Sequence, residues 1–336
     1  MPNDKKQPSS GASAKTTPAA AKPAAPAKTS APPAKPEPPP TPTVKPPALF
    51  RTIDWMALLI TFVFVFIAYY LTIAPEMTLE DSGELATGSF YAGIPHPPGY
   101  PVWTIFTHLW TLLPVGNVAW RVALAGCFAG ALASGLLAMI VSRGSSMMIE
   151  SIDDLKNFDR RWENAICLVS GFVSGLLIGF NGYMWSQAVI VEVYPLSVVS
   201  LMAVLICLLR WVYAPYQHRY VYAAFFFYGI CVNNHQSLLV ISMGMEALVI
   251  CADKKVGREM MMWNSLIFLA GAALKPDALW GNTPVRTIYI IIGVASIIAW
   301  AWLLIITKKK AIEFARDGMM LLVLGSVFGI LGGITH

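Results

Sequence analysis

The chain has 336 residues, 56% of them apolar and only 13% charged, where a soluble domain carries about 25% charged residues. That balance excludes an ordinary water-soluble globular domain. With several apolar runs near the roughly 20 residues that cross a bilayer, it predicts an all-α polytopic membrane protein. The formal charge of +5 arises wholly in residues 1–50, where seven lysines oppose Asp4 and Glu37, so the balanced remainder offers no surface for nucleic acid.

In chain order, residues 1–50 are rich in Pro, Ala and Lys and nearly free of large apolar side chains. Such a segment cannot bury enough surface to offset chain entropy and reads as a disordered cytoplasmic tail. The first apolar run begins only at Trp55. It is too far from the start for a cleaved leader and is expected to be an uncleaved anchor spanning about residues 55–74. From Thr52 to Trp120 there is no Lys or Arg. Because basic residues mark the cytoplasmic side, residues 75–118 fall on the outer face. Within them, "PVWTIFTHLWTLL" at 101–113 would rise only about 20 Å as a helix, against a hydrocarbon core of about 30 Å. Its Thr104, Thr107, His108 and Thr111 form one polar stripe, which predicts a helix lying in the interface, with Tyr100 and Trp103 as interfacial anchors.

A span near 119–142 leads to a cytoplasmic loop with Arg143, Lys156, Arg160 and Arg161. Spans near 163–183 and 193–213 bracket an outer turn and return to Arg210, His218 and Arg219. Residues 220–251 carry Asn233-Asn234-His235-Gln236 in their middle and read as two short spans with that turn outside, which keeps 253–258 cytoplasmic. Spans near 260–274, 286–307 and 318–334 place Lys308, Lys309 and Lys310 inside and bring the expected total to about nine, in one membrane core over 51–336. The sequence closes at His336 directly after an apolar run, and a truncated piece of something longer is the expectation. Cys127, Cys167, Cys207, Cys231 and Cys251 lie singly in or beside apolar runs, so neither a disulfide framework nor a zinc site is expected.

On this topology the unusual polar groups gather at the outer face, and ionisable residues at membrane depth are functional candidates. Glu80, Asp81 and Glu84 admit two readings. Asp81 and Glu84 have the spacing of a capping box, in which Asp81 accepts from a helix N-terminus and Glu84 reaches back. That reading leaves Glu80 and the missing basic partners unexplained. Clustered like charges raise the pKa of at least one member unless a cation is present, and such a carboxylate suits a general base. The run His-Pro-Pro-Gly-Tyr-Pro from His96 is a rigid turn, its prolines fixing φ and Gly99 permitting the reversal. His96 either belongs only to that turn or also meets substrate. Trp185 and Glu192 would share one face of a helix, with Gln187 on another, and Glu192 is either a solvated helix end or a site group. Asn233 to Gln236 either satisfy backbone between two spans or face the site. Lys275 and Arg286 are the basic residues left in outer loops beyond Arg121; they flank spans, or one of them meets a lipid phosphate.

Three motifs carry a resemblance. "EDSGEL" with "GIPHPPGYP" at 80–101, "WSQAVIVEVYPL" at 185–196 and "GICVNNHQSLL" at 229–239 occur in this order. Together they resemble a polytopic membrane family of unknown function that includes protein O-mannosyltransferase-like members and belongs with the GT-C glycosyltransferases. The resemblance covers about residues 52–250. It implies a helical GT-C core that takes a sugar, such as mannose, from a polyprenyl-phosphate donor in the membrane. The sugar would pass with inversion to a hydroxyl acceptor, such as a protein Ser or Thr, on the non-cytoplasmic face. It implies Asp81 as general base, Glu84 orienting Asp81 or the acceptor, and Glu80 beside them in the acidic catalytic position. Gln187, Glu192, Tyr194, Asn234 and His235 would line the pocket, with His96 and Arg286 completing the substrate-binding set. GT-C enzymes differ in their use of a divalent metal, so Mg2+ or Mn2+ at the oxygen-rich cluster stays open. Family prevalence favours a bacterial inner membrane over an endoplasmic reticulum. The rival class is a polytopic transporter or flippase of a lipid-linked or small polar substrate, served by small-residue runs such as "AGCFAGALASG" at 125–135. Against it, the spans show no inverted repeat and the acidic cluster lies in a loop rather than mid-span.

Overall fold

The computed structural model describes residues 48–78, 80–97, 99–155 and 158–307. Residues 1–47 of the expected tail and the expected span at 318–334 lie outside them. Helix α1 (Thr52–Thr72) turns Asp54, Ala57, Thr61, Val65 and Tyr69 inward at three- and four-residue steps, while Leu59, Phe64, Ile67 and Leu71 face outward. A helix apolar on its exposed face as well belongs in lipid. Two short helices follow, α2 (Ser82–Tyr91) and α3 (Pro101–Thr111), and then the long central α4 (Val118–Ser151). Next come α5 (Arg160–Gly179), α6 (Gly182–Ala188), α7 (Tyr194–Tyr213) and α8 (Arg219–Asn234). A 3-10 turn leads to α9 (Ile241–Ala252), α10 (Lys254–Leu274), α11 (Asp277–Trp280) and α12 (Thr283–Thr307). No strand occurs among the described residues.

Helix α4 is buried along most of its length and receives α1, α3, α5 and α7. The stripe that α5 turns inward is Glu163, Cys167, Gly171, Gly175 and Gly179, one residue every four. A Cβ on Gly171 would stand 2.6 Å from the Ala138 carbonyl oxygen of α4. Backbones approach this closely in a membrane only where small residues intervene. A second packed group joins α7, α8, α9, α10 and α12 around Trp211, Tyr228, Met260 and Leu303.

The two ends of the bundle differ in chemistry. At one end the start of α1 meets the start of α5 and the late part of α4. There Arg51 pairs with Glu163 and Asp54, the Ser142 hydroxyl donates to Asp54, and Arg143 donates to Ser146 and Glu150. Buried charges persist at such depth because each finds a partner. At the other end the close of α1, the start of α4, α6 and the start of α7 converge. The Ala74 N–H donates to the Val189 carbonyl at 2.9 Å, and the Asn117 amide to the Pro75 carbonyl at 2.8 Å.

Five helices among the described residues, α1, α4, α5, α7 and α12, are long and apolar enough to cross a membrane. That is fewer than the nine expected. Helices α8 and α9 have 16 and 12 residues and rise about 24 and 18 Å, short of the roughly 30 Å core. Helix α10 has the length but opens on Lys254, Lys255, Arg258 and Glu259. The division of 220–251 into two helices around the Asn-His turn does occur, as α8 and α9.

The expected orientation of α3 is corrected. Its stripe of Thr104, Thr107 and Thr111 is buried, and Ile105 and Leu109 are exposed instead. The Thr107 hydroxyl bonds the Ser89 hydroxyl at 2.8 Å and His108 Nδ1 lies 3.0 Å from the Ser89 carbonyl. Polar groups that find partners inside leave the apolar face for the surroundings. Trp103 and Tyr100 are likewise buried in the core formed with α2, α4 and the 191–193 segment, not interfacial anchors.

The close approach of α5 to α4 is directly testable. Gly171→Ala places a methyl group against a carbonyl oxygen and should lower the stability of the detergent-solubilised protein by about 1–3 kcal/mol, the usual cost of overpacking. Gly144→Ala, which meets nothing within 4 Å, should leave thermal unfolding unchanged. Equal melting of the two variants would contradict this packing.

Candidate active site

Two breaks in helical structure build the site. The first is the loop before α2. Glu80 has φ +69°, a left-handed conformation rare for a non-glycine residue and a form of strain that concentrates at functional sites. Asp81 then occupies the N-cap position of α2, but its side chain accepts no capping bond. Glu84 does not reach back either. One of its carboxylate oxygens accepts the His96 backbone N–H at 2.6 Å, and the other lies 3.2 Å from His96 Nδ1. The capping box expected as one reading is therefore not formed, and Asp81 and Glu84 are both turned toward His96. The opposite ring nitrogen, His96 Nε2, lies 3.8 Å from Asp81 Oδ2 and 3.4 Å from the Tyr100 hydroxyl.

The second break separates α6 from α7. Helix α6 ends at Ala188, so Trp185 and Glu192 do not share a helix face as the sequence suggested. Trp185 instead donates through Nε1 to the Thr72 hydroxyl at 3.0 Å. The Glu192 carbonyl accepts from Trp103 Nε1 at 3.1 Å, and its carboxylate accepts the Val193 N–H at 3.2 Å. Glu192 is only 7% exposed. Burial pushes its carboxyl above the usual carboxylate range, and the carboxylates of Glu80 and Asp81 raise it further, against the opposing Val193 N–H. The Glu80 side chain also hydrogen-bonds it.

Between these breaks lies a cavity of about 880 Å³. Glu80, Asp81, His96, Tyr100, Gln187, Glu192 and Tyr194 line its polar side, and Leu85, Ile178, Met184, Val193 and Val198 its apolar side. No lysine or arginine is among the described residues that line it. Gln187 contributes an amide oxygen that is buried without a hydrogen-bond partner, which is the state of a group awaiting a donor from a ligand. Asn181 and Tyr183 also line the wall and were missed in the sequence, although they immediately precede the second motif. Asp81, Glu84 and His96 each offer one ligand atom within 4.8 Å of the others, a set of oxygens and one imidazole that suits a divalent cation.

The remaining expected residues lie elsewhere. Asn234 is fully buried and its amide donates to the Ser197 hydroxyl, so it ties α8 to α7 rather than lining the cavity. His235 adjoins it indirectly, with its ring 5.1 Å from that of Tyr194 and Nδ1 2.6 Å from the Ser237 hydroxyl. Burial lowers its pKa. Arg286 sits in the first turn of α12, which packs on α10 and α11, and neither it nor Lys275 lines the cavity.

Fold and site together define a polytopic, all-helical membrane protein with an acidic chamber at one end of its bundle. Residues 81–258 match the family described as protein O-mannosyl-transferase TMEM260 N-terminal domain, and the chain belongs to that family. The mouse (Mus musculus) protein O-mannosyl-transferase TMEM260 is 31% identical over 137 residues, which cover 40% of this chain and 17% of the relative. The protein O-mannosyl-transferase tmem260 of Dictyostelium discoideum is 30% identical over 80 residues, 23% of this chain and 10% of the relative. The chain thus spans a small part of the length of these curated relatives. Both are eukaryotic, so they lend no support to the expected bacterial membrane. No solved structure matches the chain.

The raised carboxyl of Glu192 makes a pH-dependent prediction. Between the ordinary carboxylate pKa and the raised one, the folded state binds more protons than the unfolded, so stability falls as pH rises through that window. Thermal unfolding across mildly acidic to neutral pH should show this slope in the wild type and a shallower one in Glu192→Gln. Parallel slopes would contradict the burial of an ionisable group there.

Proposed function

We propose that the chain is the catalytic core of a GT-C-type membrane glycosyltransferase that moves mannose from a polyprenyl-phosphate donor to a protein hydroxyl. The observation that carries this reading is the chamber itself. Strained Glu80, Asp81, the Glu84–His96 pair and Glu192 meet there beside an apolar wall of α5, α6 and α7, and relatives with related sequence are named protein O-mannosyl-transferases. The chamber end is the non-cytoplasmic one, because Arg51, Arg143, Arg160, Arg161 and Arg210 belong to the opposite end and residues 52–120 carry no basic residue.

On this reading the acceptor oxygen attacks the anomeric carbon as the bond to the lipid phosphate breaks. Asp81, which lines the chamber with its side chain 59% exposed, takes the hydroxyl proton. The His96 ring, held by Glu84 through both its backbone N–H and Nδ1, fixes the direction of Asp81 from its other nitrogen. Glu192, whose carboxyl burial pushes above the usual carboxylate range, faces the donor phosphate, and a proton on it would turn a repelling anion into a hydrogen-bond donor. Gln187 presents its unpaired oxygen to a sugar hydroxyl, and Tyr194 stands beside it. A divalent cation, if bound, would be held by Asp81, Glu84 and His96 and would supply charge neutralisation for the phosphate. Arg286 remains a candidate for the lipid phosphate only through a rearrangement of the α10–α12 group.

Transfer of radiolabelled mannose from its polyprenyl-phosphate donor, in membranes carrying the chain, tests this. Asp81→Asn should lower the rate about 10²- to 10⁴-fold, the range for a general base, and Glu84→Gln should lower it less. Absence of labelled product from the wild type with several sugar donors would overturn the transferase reading. Vectorial movement of an intact lipid-linked sugar would then favour a flippase.

A further inference from the structure

The Glu84–His96 pair has two sides. His96 faces the chamber, while Glu84 also borders a separate groove of about 430 Å³ between α2 and the segment that returns from it. The groove is lined by glycine backbone at Gly83, Gly88 and Gly93 and by the side chains of Tyr91 and Ile94. Tyr91 is 74% exposed and Ile94 77%, so two large apolar side chains stand uncovered in a groove that Glu84, Thr87 and Pro95 also line. Along α2 from Gly83 to Tyr91 the groove runs about 12 Å, the length of three or four extended residues at about 3.3 Å each. Its surroundings are of one sign. Glu76, Glu80, Asp81 and Glu84 stand in a stretch, Thr52 to Trp120, that holds no Lys or Arg.

We infer that this groove holds the acceptor as an extended, non-acidic polypeptide segment, whose hydroxyl side chain reaches Asp81 past the Glu84–His96 pair. The inference rests on the glycosyltransferase reading and adds to it a binding site for the second substrate. Three features select this occupant. The glycines at 83, 88 and 93 admit a peptide main chain at close range along their side of the groove. Tyr91 and Ile94 offer apolar contact to the residues that flank the hydroxyl. The negative field of the segment favours neutral or basic sequences and repels acidic ones. The larger chamber, with its apolar wall on the long helices α5 and α7, is left to the lipid-linked donor, so the two substrates approach the same carboxylates from opposite sides.

The test uses the full chain in detergent or native membranes, with fluorescent Ser- and Thr-containing peptides and the polyprenyl-phosphate mannose donor. Peptide binding is read by polarisation without donor, and transfer is read separately. Tyr91→Ala and Ile94→Ala, both at exposed positions, should each weaken peptide binding and raise the acceptor KM about tenfold, as for loss of one apolar anchor, with the donor KM unmoved. Gly88→Ala, whose added Cβ would meet Pro95 at an ordinary 3.5 Å, should do the same without loss of fold. Peptides flanked by Asp should bind more weakly than those flanked by Lys. Unchanged peptide binding in all three variants, or a matching rise in donor KM, would overturn the groove. Peptide binding at the groove without any transfer by the wild type would sink the transferase reading alone.

Discussion

The interruption between α6 and α7 is the constraint from which the rest of the site follows. Non-helical backbone enclosed by protein must have its freed groups satisfied within the protein. Here the Val189 carbonyl accepts from Ala74, the Glu192 carbonyl from Trp103 Nε1, and the Val193 N–H turns onto the Glu192 carboxylate. Helix α4 makes room for the break at Gly126, where a Cβ would lie 3.0 Å from the Ala188 carbonyl oxygen. Satisfied in this way, five residues can leave the helix and α7 can begin again at Tyr194 and Pro195, with proline in the first turn where its missing N–H costs nothing. The same bonds draw α3 and the end of α1 to this point, and they aim Glu192 at Glu80 and Asp81.

Charge is distributed with equal economy. The far end of the bundle neutralises its buried carboxylates with arginines, as in the contacts of Arg51 with Asp54 and Glu163. The described residues that line the chamber include carboxylates and no arginine. The Glu192 carboxyl is pushed above the usual carboxylate range, by burial first and by its neighbours Glu80 and Asp81, against the opposing Val193 N–H. On the proposed function such a chamber meets an anionic lipid phosphate, and the Asp81–Glu84–His96 set offers ligand atoms for a neutralising cation. The left-handed backbone at Glu80 and Tyr100 brackets this set on both sides. Strain at two positions around one cluster is consistent with a preorganised centre.

Much of this was legible in the sequence, for identifiable reasons. The stretch from Thr52 to Trp120 without Lys or Arg set the acidic loop apart, and the motif containing Glu192, from a distant part of the chain, lines the same chamber. What the sequence obscured was direction. A polar stripe on α3 reads equally well as water-facing or as inward-facing, and only the partner Ser89 on α2 distinguishes the two. The Asp-x-x-Glu spacing at 81–84 carries a capping signal, yet the competing partner, His96, lies twelve residues from Glu84 and outbids the helix end. Asn234 and His235 are adjacent in sequence but part company at the end of α8, one into the α7 interface and the other toward Tyr194. Among the described residues five helices meet the length and hydropathy of a span, while α8 and α9 fall short in length and α10 opens on charged residues.

On the proposed function, a lipid-linked sugar sits in the chamber bounded by α5, α6 and α7. Photo-crosslinking with a polyprenyl-phosphate mannose analogue, bearing its reactive group near the phosphate, measures this most directly. The account predicts labelled peptides from residues 178–198, with labelling displaced by excess unmodified donor. Labelling confined to α8–α12, or undiminished by competing donor, would contradict it.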